Sequence, residues 1–249
     1  TGAGSSTLNI RGNYVKKGTG VFTFSGSSAT GTNLTYNVEG DYKIENGTTR
    51  ILSAVAGGVN FTFNLKGNLE ITAGGLFNGN TNATSYTSSS FNFTGTNQTI
   101  NYAGNTKPSY IYFYAKNGSN VQLINKDLAL DTNSKFTVES GGTLDFGFDA
   151  SDTALNILRS GATTGQSFEL KDGGTLKITS PQGISNGTSV YTGNVQIGAD
   201  ATKRIFGTDA IYHYIGKANA AQVAADQVDQ ISGNGLPSDA SAKKVIIEL

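Results

Sequence analysis

The 249-residue chain has no cysteine, no methionine, no tryptophan, three prolines and a single histidine. The missing cysteines remove disulfides, thiolate metal sites and thiol nucleophiles together. With one histidine, a Ser-His-Asp site would have to use His213. Its neighbours Tyr212 and Tyr214 alternate with it as on a strand, so a structural histidine is the better reading. Charge of one sign is missing too. Eighteen basic residues balance eighteen acidic ones with no basic run, so attraction to nucleic acid or an anionic membrane has no support. No apolar run approaches the ~20 residues of a bilayer span, and Thr1-Gly-Ala-Gly4 does not read as a signal peptide.

What is present is alternation. From Val121 to Gly147, every second residue is apolar in three short runs, Val121/Leu123, Leu128/Leu130 and Phe136/Val138, and Leu144/Phe146 opens a fourth. Asn, Asp, Ser and Gly stand between the runs and tolerate tight corners. Period two means strands with one face buried. Phe136-Thr-Val-Glu-Ser-Gly-Gly-Thr-Leu144-Asp-Phe146 then aligns without a gap on Phe168-Glu-Leu-Lys-Asp-Gly-Gly-Thr-Leu176-Lys-Ile178. Strand, Gly-Gly corner, strand, repeated, is the pattern of a solenoid.

The N-terminal third carries a related unit. Ile10-Arg-Gly-Asn-Tyr14, Val38-Glu-Gly-Asp-Tyr42 and Leu65-Lys-Gly-Asn-Leu69 share an apolar residue, any residue, Gly, Asn or Asp, and a large apolar one. Ile124-Asn-Lys-Asp-Leu128 fits with Lys126 in the glycine slot. A second ladder is read from Phe22-Thr-Phe24, Phe61-Thr-Phe63 and Phe91-Asn-Phe93, whose rings would stack on successive coils about 4.8 Å apart. This places Thr23 and Thr62 in equivalent slots, with Asn92 breaking any threonine array of the ice-binding kind. Residues 81–90 read as a bulging loop, and 218–229 as a short helical insertion too polar to stand alone. The expected fold is all-β: a right-handed parallel β-helix over 1–249, of about ten coils at ~25 residues each and about 50 Å long. An antiparallel sandwich is the competing architecture.

The last third is where a family resemblance shows. Gly173-Gly-Thr-Leu176, Ser180-Pro-Gln-Gly-Ile184, Gly193-Asn-Val-Gln196, Ile211-Tyr-His-Tyr-Ile-Gly216 and Gln230-Ile-Ser-Gly-Asn-Gly-Leu-Pro237 follow one another before Val245-Ile-Ile. This succession resembles a repeat of very large cell-surface proteins of Bacteroidota, exported by type IX secretion and including gliding-motility proteins and adhesins. The insertion at 218–229 departs from that pattern. The resemblance implies an extracellular, surface-anchored, non-catalytic segment whose neighbours are further repeats of the same chain. The strand-like end, Lys243 to Leu249, reads as the edge of something longer.

Three places could carry chemistry. Tyr110, Tyr112 and Tyr114 alternate with Ile111 and Phe113, and a row of phenols can stack on sugar rings or pack at a protein interface. Asp145, Asp149 and Asp152 cluster at a corner and could supply oxygens to Ca²⁺, or the acid pair of a β-helical glycosidase; otherwise no cofactor is expected. Asp152-Thr153-Ala154 resembles the site at which Bacteroidota O-glycosylate exported proteins, with Thr153 the acceptor. The function expected is a rigid, adhesive stalk presenting loops to glycans, surfaces or partner proteins. A polysaccharide lyase or hydrolase is the alternative. It would need carboxylates with Arg or Lys on neighbouring coils, and none of Arg11, Arg50, Arg159 and Arg204 pairs with an Asp at repeat spacing in the sequence.

Overall fold

A computed structural model describes residues 4–25, 33–52, 60–80, 89–104, 107–124, 127–147, 156–160, 165–180, 182–184, 193–197, 203–215 and 244–248. Strands make three sheets, and every pairing is parallel. Sheet A runs β1 (Ser5–Ile10), β4 (Asn33–Val38), β6 (Asn60–Leu65), β8 (Ser89–Phe93), β10 (Tyr112–Ala115), β13 (Lys135–Val138), β16 (Ser167–Leu170) and β19 (Arg204–Phe206). Sheet B begins with β2 (Tyr14–Lys16), β5 (Tyr42–Leu52), β7 (Leu69–Asn80), β9 (Gln98–Tyr102) and β11 (Asn120–Ile124). It continues through β14 (Thr143–Asp145), β17 (Thr175–Ile178), β20 (Ile211–Ile215) and β21 (Lys244–Glu248). Sheet C holds β12 (Leu128–Leu130), β15 (Leu158–Ser160) and β18 (Val195–Gln196).

The chain visits A, then B, then C, and returns to A one level up. In the first coils the third side is made differently. β3 (Val21–Ser25) pairs with the far half of β5, which in turn pairs with the far half of β7. Backbone bonds from Gly79 N–H to Ser109 O (2.9 Å) and from Asp131 N–H to Pro108 O (2.9 Å) carry that side on to β12. The molecule is therefore a parallel β-solenoid. Right-twisted strands joined by parallel crossovers coil right-handedly.

Register shows which sequence signals were real. Phe136 pairs with Phe168 and Leu144 with Leu176, as the ungapped alignment requires. Ile10, Val38 and Leu65 stack, as do Tyr14, Tyr42 and Leu69. The recurring Asn or Asp of that unit has a job at the A-to-B corner. Asn13 Oδ1 accepts the N–H of Asp41 (2.8 Å), Asp41 Oδ1 that of Asn68 (2.7 Å), and Asn68 Oδ1 that of Thr99 (2.8 Å). Each coil thus satisfies a corner donor of the next, a group that costs free energy if buried unpaired. Gly67 is required beside it, because a Cβ there would lie 2.3 Å from the Gly40 carbonyl carbon.

Inward residues form columns. Tyr36, Phe63, Phe91, Phe113, Phe136 and Phe168 lie above one another in sheet A. Phe63 and Phe91 stack at 4.8 Å between centroids and 7° between planes. All but Tyr36 are fully buried, each ring contributing roughly 1.5–3 kcal/mol. Outward residues form columns as well. Asn9, Asn37, Asn64 and Asn92 join side chain to side chain at 2.7–2.8 Å, and charges on adjacent coils meet opposite charges.

Several expectations need correction. Among the described residues sheet A has eight strands where about ten coils were expected, and coils differ in length: 28, 27 and 28 residues separate the Asn-column members, 23 separate Ile111 from Ser134, and 32 separate Asp145 from Lys177. Nine described strands follow one another along the main path of sheet B, and at a rise of about 4.8 Å per coil they span about 38 Å, against the 50 Å expected for ten coils. The three Phe-x-Phe runs are not one ladder. Phe63, not Phe61, pairs with Phe91, while Phe22 pairs with Thr49 on the third side. Thr23 accordingly pairs with Arg50, and not in line with Thr62. Phe24 reaches across the interior instead, 5.6 Å from the Phe63 ring. Ile124 to Leu128 turns from B to C, so it is not a copy of the A-to-B unit. The insertion at 218–229 lies outside the described residues, as do 81–88 of the loop read at 81–90, whose last two residues open β8.

Candidate functional site

Alternation on β10 buries Ile111 and Phe113 completely and turns Tyr112 and Tyr114 outward, both half-buried. The row holds two phenols rather than three. Tyr110 precedes the strand with φ +55°, at the corner where the chain enters sheet A, and its N–H donates to Thr132 O (2.8 Å). A non-glycine residue in that region is uncommon. The corner is held from below as well: a Cβ at Gly79 would lie 1.8 Å from the Tyr110 carbonyl oxygen, so only glycine fits there.

Around the pair, Ser90 and Asn92 lie on the coil below and Lys135 and Thr137 on the coil above. Lys116 Nζ sits 5.2 Å from the Tyr114 ring centroid, within cation–π range, and 2.7 Å from Glu139. Lys135 pairs with Glu169. Burial raises the Tyr114 phenol pKa, and Tyr112, Glu139 and Glu169 push it the same way, so it stays a neutral donor. The surface offers ring faces and neutral phenol hydroxyls, with its charges already paired.

Asp145 sits on the outer side of sheet B, 7% exposed. Its Oδ1 accepts the Gly147 N–H (2.8 Å) and its Oδ2 lies 3.2 Å from Lys177 Nζ. Directly above Lys177 comes His213, whose Nε2 is 3.0 Å from Glu248 Oε2 without hydrogen-bond alignment. Asp149, Asp152 and Thr153 lie outside the described residues. Among the described residues no three His, Cys, Asp or Glu side chains gather as metal ligands.

Two features escaped the sequence reading. The first is the charge alternation at the second position of the corner unit, Arg11, Glu39 and Lys66, which the residues themselves display. Lys66 meets Glu39 at 3.0 Å, and Glu139 lies between Lys116 at 2.7 Å and Lys171 at 3.7 Å. The second is Gly183-Ile-Ser-Asn-Gly187, which has the spacing of a nucleophile elbow, although Ser185 lies outside the described residues. The elbow also needs a strand-to-helix turn.

The class is thus a β-solenoid with neutralised outer columns and a two-tyrosine patch. No family model, curated protein or solved structure matches the chain.

Proposed function

We propose that this chain is a structural and adhesive segment of a large extracellular surface protein, a stiff rod that presents contact surfaces to glycans, surfaces or partner proteins. The reading rests on one observation above others. The outward charges of the rod are cancelled coil against coil, as in Lys43 with Glu70 (3.2 Å), Lys116 with Glu139 (2.7 Å) and Arg159 with Asp127 (2.9 Å), the last an Arg–Asp pair 32 residues apart that corrects the expectation of none at repeat spacing. Charges spent in this way set register between coils and are not convergent on a substrate. Tyr112 and Tyr114 are the adhesive patch, and the Bacteroidota-like repeats of the last third suit a type IX-exported protein.

Large apolar side chains exposed among the described residues support the partner proposed, further coils of the same chain. In line with inward columns, Leu8 and Phe22 lie on β1 and β3, and Val245 and Ile247 on β21. Such end coils need a neighbour to cover them.

A polysaccharide-cleaving β-helix is the second reading, and the Asp145–Lys177–His213 column is what favours it. One assay separates the two. The protein is incubated with a panel of neutral and anionic polysaccharides, and retention and newly formed chain ends are both measured. Retention without cleavage agrees with the adhesive reading; cleavage abolished by Asp145→Asn overturns it.

A further inference from the structure

The outer side of sheet B carries a trough of 340 Å³ that crosses five coils, from β2 to β11. That volume lies at the lower end of the about 300–1,000 Å³ of ligand sites. One wall is the corner row Asn13, Asp41 and Asn68, and the other is Lys43, Glu70 and Asn101. Val15, 42% exposed, and Ile124 add apolar surface at its two ends.

The corner row is only half used by the fold. Each side chain spends one oxygen on the backbone N–H of the next coil. This leaves the Asn13 amide N–H₂, the second Asp41 oxygen and the Asn68 amide N–H₂ for a ligand. Donor, acceptor and donor then follow along the axis at the coil rise of about 4.8 Å. Hydroxyl groups fit such a row, since each both donates and accepts. The facing wall holds Lys43 at 3.2 Å from Glu70, so its cation is compensated and Asp41 leaves the trough with a negative balance. An anionic polymer is disfavoured there. An extended peptide is disfavoured for a different reason, because peptides add to sheet edges through free backbone groups and this is the face of a sheet paired on both sides.

We infer that the trough is a binding site for a neutral linear polysaccharide lying parallel to the solenoid axis. It is separate from the tyrosine patch and stands whether or not that patch binds anything.

The test is calorimetry of the whole chain with three neutral hexasaccharides: β-1,4-glucan, β-1,4-mannan and N-acetylated β-1,4-glucosamine. Polygalacturonate and an unstructured peptide serve as the other arms. Asn101 points outward, so Asn101→Arg fills the trough without touching the core, and an unchanged melting temperature verifies the fold. The expected result is binding of at least one neutral hexasaccharide, weakened at least tenfold by Asn101→Arg and unaltered by the double variant Tyr112→Ala, Tyr114→Ala. Binding of none of the three overturns the inference. So does binding indifferent to Asn101→Arg, or a preference for polygalacturonate or the peptide. Loss in the tyrosine variant alone would place the glycan on the patch and leave the trough empty of function.

Discussion

The lower coils, β1 to β8, and the upper coils, β13 to β20, build the same three-sided rod with different means. Below, the spacing is 27 or 28 residues, and the interior is ring against ring: Phe91 lies within 6.1 Å of Tyr42, Phe63, Phe77, Phe93 and Phe113. Outside, amides link in a continuous column. Above, the spacing widens to 32 and then 36 residues, and aliphatic Val138, Leu144, Leu170, Leu176 and Ile178 share the inside with Phe136, Phe146, Phe168, Tyr212 and Tyr214. Paired charges replace the amide column. Pairing needs only the strands to coincide, so corners absorb the extra length while register is kept. Lower coils are bound by interior shape, and upper coils rely more on their corners.

The largest expected effect tests the interior. Phe91→Ala removes a ring packed among five others, which cannot close the gap without unstacking, so it should cost about 4 kcal/mol. Phe168 is equally buried but among the described residues has one ring neighbour, Phe206 at 5.7 Å. Its alanine variant should cost about 1 kcal/mol less, the size of an aromatic pair term. Urea unfolding of both variants measures the difference, and equal losses would end the distinction between the two halves.

The same contrast explains what could be read in the residues beforehand. Phe136 and Phe168 were legible as equivalents because the two corners have equal length and identical Gly-Gly-Thr-Leu. The corner unit at Ile10, Val38 and Leu65 was legible because its Gly and Asn or Asp serve backbone geometry that no other residues supply. Phe22-Thr-Phe24 misled because alternation says that two rings share a face, not which of three faces. Coil number was hidden by loops whose length no strand pattern encodes. That Tyr112 and Tyr114 share a face of β10 followed from alternation, but not that this face is the outer one, nor the left-handed backbone of Tyr110, which depends on the coils above and below. The Asn column was in plain view, since Asn37, Asn64 and Asn92 each precede the last apolar residue of a strand, but its meaning requires the stacking itself.

Corners give the next test. A Cβ at Gly142 would lie 2.4 Å from the Ala115 carbonyl oxygen of the coil below, and backbone cannot move aside cheaply. Gly142→Ala should cost roughly 2 kcal/mol. Gly118 has φ +80° but open space around it, so Gly118→Ala should cost only the backbone term, about 1 kcal/mol. Reversal of that order in thermal melts would mean that corner contacts between coils matter less than local backbone preference.

The outer columns come third. Asn64 donates to Asn37 and accepts from Asn92, both at 2.8 Å, so Asn64→Ala interrupts the lower amide column and should cost about 1 kcal/mol. Lys135→Ala breaks the upper Lys135–Glu169 pair, where water screens part of the attraction, and should cost less, roughly 0.5 kcal/mol. Added salt should shrink the second loss and leave the first. Equal salt response in both would remove the difference assigned to the two columns.

The smallest effect has the opposite sign. Tyr42 is completely buried in the lower interior and its hydroxyl has no aligned partner. Burial, with Tyr14 adding to it, raises the Tyr42 phenol pKa well above the ordinary value, while Thr49 offsets this only in part. Tyr42→Phe should therefore stabilise the rod by about 1 kcal/mol at neutral pH. Its advantage should also grow in alkali. In the unfolded chain the phenol ionises near pH 10, whereas in the folded chain it stays protonated to higher pH. The stability it contributes is intact below about pH 10 and is lost as the pH climbs above that value. Tyr14, pushed up to about 12 chiefly by its own burial, remains in both proteins and gives both some alkaline loss. Melting curves of the two proteins at pH 7 and pH 11 decide the matter: a gap that is negative at pH 7, or that narrows at pH 11, would mean that the Tyr42 hydroxyl is satisfied in the fold after all.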